Sequence, residues 1–136
     1  MSRLAALLLM TGGFTAPAPP PQQTATIDWS SLPDLPYRAP PRLSRDMHDF
    51  AFREARSRSC PIADPNSGQW RMQVDIAVLV DGSGVVRVAV PRAIDCPTVE
   101  QYAAGLATAF AQNNLLPRES RTPQWYRTSL SFAWPQ

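Results

Sequence analysis

Between Val74 and Val90 the chain runs VDIAVLVDGSGVVRVAV, and this stretch limits the possible folds more than any other. Val74, Ile76, Val78 and Val80 fall at every second position, and Val86, Val88 and Val90 resume the alternation after Asp81-Gly82-Ser83-Gly84. Period two with β-branched residues predicts strands, and two such runs around a glycine-containing turn predict a hairpin. A lone hairpin is marginal in water, so other segments have to cover its apolar face. Trp70 and Met72 carry the alternation backwards, giving a first strand over about 70–80. The second spans about 85–91, and Pro91, which has no N–H to donate, places it at a sheet edge.

The flanking segments supply the cover. Leu43, Met47, Phe50, Ala51 and Ala55 recur at helical spacing and predict a helix over 43–58, with Ser44 as N-cap and Cys60-Pro61 as its end. Thr98 and Gln101 have the form of a capping box before a second helix striped by Val99, Tyr102, Ala103, Leu106 and Phe110. Tyr126, Thr128, Leu130, Phe132 and Trp134 alternate in a last strand. The order α-β-β-α-β predicts an α+β fold, with two helices packed on one face of a three-stranded antiparallel sheet.

The start of the chain differs in kind. Arg3, the apolar run Leu4 to Met10 and the small residues Ala16 and Ala18 have the layout of a secretory signal peptide over 1–18. A merely disordered apolar N-terminus and an uncleaved short anchor are the alternatives; the run is too short for a spanning helix, which needs about 20 residues. Eight of the fifteen prolines lie between Pro17 and Pro41, so 19–42 is expected to be a proline-rich linker. Its Ile27, Trp29, Leu32, Leu35 and Tyr37 are candidates for docking on the domain at 43–136. Export implies an oxidising periplasm, where two cysteines, Cys60 and Cys96, favour a disulfide over free thiols or a metal pair.

Little chemistry is visible. With 18% charged residues and a net charge of +2, nothing argues for nucleic acid, and the thirteen basic residues are all arginine. His48, the single histidine, sits beside Asp46 and Asp49 and is expected to be a solvated surface residue. No nucleophile elbow, phosphate loop or CxxC motif occurs, so no enzyme, cofactor or metal is expected. An enzyme would require Asp75, Asp95 and His48 to converge.

From about Trp70 to Trp134 the chain resembles the C-terminal domain of the TonB family. The matching pieces are VDIAVLVD, GSGVV, VRVAV, EQYAAGLATAF, LLPR and SLSFAW. The resemblance implies a periplasmic domain whose last strand pairs with a TonB-box segment of an outer-membrane transporter, by addition of a strand to a sheet edge. Carried onto this chain, the partner-binding residues are Trp125, Tyr126, Arg127, Ser129 and Ser131. Energy-transducing members carry a full N-terminal membrane helix; the short apolar run here fits a stand-alone secreted form. The alternative function is a structural envelope protein that forms a homodimer through its sheet edge.

Overall fold

A computed structural model of the chain describes residues 12–17, 26–62 and 69–135. The turn cluster at 64–68 and most of the expected leader over 1–18 lie outside these residues. Among the described residues no helix is long and apolar enough to cross a membrane. The elements are α1 (Arg45–Ser57), β1 (Gln69–Val80), β2 (Val86–Pro91), α2 (Pro97–Ala111) and β3 (Gln124–Pro135).

The three strands form one antiparallel sheet in the order β2-β1-β3. β1 is central because its every second residue is buried: Met72, Val74, Ile76, Val78 and Val80 all face the core. β2 lies at one edge, as Pro91 requires. β3 forms the other edge and pairs with β1 along its whole length, from Gln69↔Pro135 to Val80↔Gln124.

Both helices contribute to the core under one face of this sheet. α2 buries Val99, Ala103, Ala104, Ala107 and Ala111, so small side chains meet the strands. The larger Tyr102, Leu106 and Phe110, expected on the same stripe, are half-buried at its margin. α1 lies against β3 and buries Ala51 and Ala55. Phe52, outside the expected apolar face, stacks at 4.9 Å from Trp134.

The caps show what local sequence can and cannot predict. Ser44 caps α1 as expected, its Oγ accepting from the Met47 N–H at 3.3 Å. α2 begins two residues earlier than Thr98 suggests: Cys96 is its N-cap and Pro97 opens the helix. The reach-back comes from Glu100 rather than Gln101, since Glu100 Oε2 accepts from the N–H groups of Cys96 and Ile94. Pro97 favours this start because its missing N–H is one the first turn leaves unused anyway.

α1 ends in a Schellman arrangement, with Cys60 N–H donating to Ala55 and Ser59 N–H to Arg56. Ser59 therefore sits at φ 53°, where a β-carbon is unfavourable. Ser59→Gly is expected to stabilise the chain by about 0.5–1 kcal/mol, seen as a higher urea midpoint. The ordering of this end places Cys60 against Cys96, and the two form a disulfide with Cα atoms 5.4 Å apart. It ties the end of α1 to the start of α2.

The hairpin turn is built around Asp81. Its Oδ1 accepts from Ser83 Oγ, Ser83 N–H and Val85 N–H, and its Oδ2 meets Arg87 Nε at 2.6 Å. The hydrogen bond from Ser83, then those from Val85 and Arg87, hold its carboxyl well below the ordinary value of 3.8. A depressed folded-state value gives stability that is complete above the ordinary range and fades as pH falls through the lower folded value. The Ser83 and Val85 amide resonances are expected to hold their positions as pH falls to about 3, then move in stronger acid. Gly82 is obligatory here, because a β-carbon would collide with the Arg121 carbonyl.

Candidate functional site

The expected linker is partly a strap on the domain. Its short 3₁₀ turn, Trp29–Ser31, lies over the face of the sheet opposite the helices, where the Arg92 guanidinium stands 5.5 Å from the Trp29 ring. The strap then crosses the edge of β3. Arg127 N–H donates to the Pro33 carbonyl and Leu35 N–H donates to the Arg127 carbonyl, each at 2.8 Å, a parallel bridge between Asp34 and Arg127. Beyond the edge, Leu35 enters the core at 5% exposure. Tyr37 Oη lies 3.0 Å from Thr128 Oγ1. Burial raises the Tyr37 hydroxyl above its ordinary value, partly offset by the Thr128 contact. Asn114 fastens the end of the strap: its side chain bonds both the N–H and the C=O of Ala39, and its carbonyl accepts from Arg38 N–H.

The ladder between strap and β3 stops after one residue, and prolines are the reason. Pro36, whose fixed φ suits the centre of a γ-type turn, lets Tyr37 N–H donate to the Leu35 carbonyl at 2.9 Å, and these are the two groups the ladder would next have offered to Ser129. The strap therefore turns away before it reaches Ser129.

This divides the outer rim of β3 into three parts. Odd-numbered residues aim their backbone groups away from β1, because Arg127 does so. At Arg127 the strap takes both groups. At Ala133 the N–H donates to His48 Nδ1 at 3.2 Å. Between them, no partner among the described residues takes the backbone N–H or C=O of Ser129 or Ser131. A small recess of about 290 Å³ opens there, lined by Pro41, Leu43, His48, Ser129, Leu130 and Ser131.

The five residues expected to bind a partner thus occupy different settings. Ser129 and Ser131 are exposed on the open rim. Trp125 is half-buried on the face opposite the helices. Tyr126 is 7% exposed in the core, with the Arg118 guanidinium 5.8 Å from its ring. Arg127 is closed off along its backbone, and its guanidinium stands 3.7 Å from the Asp34 carboxylate. The expectation of a last strand open along its rim is corrected: the proline-bearing strap closes it at Arg127.

His48 also departs from expectation. It is a half-buried residue of the β3 interface, not a solvated one. Besides accepting from Ala133, it meets the Phe132 ring edge-on at 6.2 Å, and its carbonyl accepts from Trp134 Nε1–H. Accepting at Nδ1 requires the ring proton on Nε2. Nothing in the local sequence signals this role, because Ala133 approaches only through the tertiary fold.

Asp75 lies on the opposite face of the sheet from His48. Ser129 Oγ donates to it at 2.5 Å and Gln73 Nε2 at 3.0 Å, with Arg92 3.8 Å away. Burial pushes its carboxyl up, but these hydrogen bonds and the charges of Arg127 and Arg92 outweigh it and hold the group below its ordinary range. The Ser129 hydroxyl is thereby fixed while its backbone stays open. A second, larger cleft of about 1200 Å³ lies between the hairpin turn and the end of α2, with Arg38, Val85, Leu116 and Arg118 in its wall. Arg118 is engaged there, donating to the Asp81 carbonyl and 3.5 Å from Tyr126 Oη.

Comparison of the chain with protein-family models, with curated proteins and with solved structures found no match.

Proposed function

We propose that this chain is a TonB-like protein-binding module of the cell envelope, which recruits an extended partner segment along the rim of β3. A TonB-box segment of an outer-membrane transporter is the partner that the sequence resemblance implies. The observation that carries the reading is the pair of open backbone positions at Ser129 and Ser131, next to the one position of the same rim where an extended segment already pairs, Arg127. Unpaired N–H and C=O groups in a row are a template for strand addition. The element order, the location of β3 at an edge and the disulfide suit such a module outside the cytoplasm.

The test places a photo-crosslinking residue at position 131 of the full chain in an envelope preparation. The expected product is a discrete adduct with an outer-membrane protein through an extended segment. An adduct between two copies of the chain would support the self-associating structural reading instead. No adduct at position 131, with the protein exported and folded, would overturn both.

A further inference from the structure

We propose that the strap is a built-in occupant of the partner's place, and that its own residues spell the chemistry of the segment that displaces it. This rests on the reading of β3 as a recruiting edge and adds what is recruited and how access is controlled.

The strap already does what a recruited segment would do. It lies parallel to β3, exchanges two backbone hydrogen bonds with Arg127, and places three side chains in defined settings. Asp34 faces the Arg127 guanidinium. Leu35 fills a core site at 5% exposure. Tyr37 brings a hydroxyl to Thr128. An incoming segment that pairs only with Ser129 and Ser131 gains few hydrogen bonds, too few for stable strand addition. A longer one collides with the strap at Arg127, so the two compete for one rim.

The strap's hold on β3 itself is short, while Pro36, Arg38 and Ala39 keep its far end bonded to Leu116, Leu115 and Asn114. Its ladder spans one residue of β3, and its Asp34 side chain is 90% exposed, so that ion pair contributes little. Leu35 is the single strap residue buried below a tenth. A displacing segment needs a carboxylate for Arg127, a leucine in the next position for the vacated core site, and an aromatic hydroxyl two residues on for Thr128. Without proline after the leucine it avoids the γ-turn that consumes the Leu35 carbonyl and Tyr37 N–H in the strap, and so continues its ladder onto Ser129 and Ser131. The occupant is such an acidic-leucine-x-tyrosine segment of another protein.

The experiment titrates a fluorescent peptide, residues 31–39 of this chain with Pro36 replaced by alanine, into the full-length protein. Binding to wild type is expected to be weak, because the tethered strap competes at high effective concentration. Leu35→Ala weakens the strap and is expected to tighten peptide binding roughly tenfold or more. Peptides with alanine in place of the aspartate or the leucine are expected to lose that gain. Amide shifts at 127–131 report the place of binding. If Leu35→Ala does not fold, the double variant Asp34→Ala with Tyr37→Phe keeps the leucine in the core and is expected to show a gain of about threefold.

Equal peptide affinity in wild type and in the folded variants would overturn the proposal, as would shifts away from β3. Dimers in sedimentation that account for the signal would overturn it too, since the occupant would then be a second copy's strap. Partner crosslinking from position 131 separates the two levels of the account. Adducts equal in wild type and Leu35→Ala leave the recruiting edge standing and remove the strap's control. Absent adducts, with peptide binding intact, remove the recruiting role and leave the mimicry.

Discussion

Truncating Phe132 to alanine lowers the unfolding free energy by about 3–5 kcal/mol. Phe132 is fully buried where α1, α2 and β3 meet, and is the largest side chain in that state. Its ring lies 6.2 Å from His48, 6.1 Å from Tyr102 and 6.4 Å from Trp134. Those neighbours sit on three different elements, and Trp134 and His48 are held by their own hydrogen bonds. His48 and Trp134 cannot swing into the space without breaking one, so much of the cavity persists and the cost falls within the Phe-to-Ala range. Urea unfolding is the check. A loss under about 1 kcal/mol would mean that this aromatic group is not packed as described.

Removing the Cys60–Cys96 disulfide is the second large effect. The bridge closes a loop with a sequence separation of 36, and that loop contains the whole of β1 and β2. Constraining a loop of this length in the unfolded chain is worth about 3–4 kcal/mol in the chain-entropy model. The double variant Cys60→Ala with Cys96→Ala is expected to lose that much and to melt roughly 10–20 °C lower. Cys96 is fully buried, so alanine is the better replacement; serine would add an unsatisfied hydroxyl to the loss. Unchanged melting of the double variant, or of reduced wild type, would contradict the role given to the bridge.

The parts of the fold that were legible in the sequence are those set by local periodicity. Valine alternation located β1 and β2, and the alternating aromatics located β3. Pro91 marked an edge strand because a missing donor has the same consequence in any sheet. Ser44 marked a helix start for an equally local reason. Errors began where two local rules compete. Thr98 and Pro97 both signal a helix start, and the proline prevailed because Glu100 was free to satisfy the N–H groups before it. The candidate site was less legible still. Ser129 and Ser131 came from the family resemblance; Leu35 was a docking candidate, but nothing local placed it against β3, and His48 looked like a charged-face residue. Each takes its place from β3, which is distant in sequence, so composition could mark Leu35 as a docking residue but not where it docks.

The rim of β3 is the feature on which the functional account turns, and amide hydrogen exchange measures it residue by residue. Tyr126, Thr128, Leu130 and Phe132 should exchange slowly through their ladder to β1, Arg127 through Pro33, and Ala133 through His48. Ser129 and Ser131 should exchange fast between them. If the two serines were as protected as Thr128 and Leu130, or if Arg127 exchanged as fast as they do, the account of a rim closed by the strap and open at the serines would be wrong.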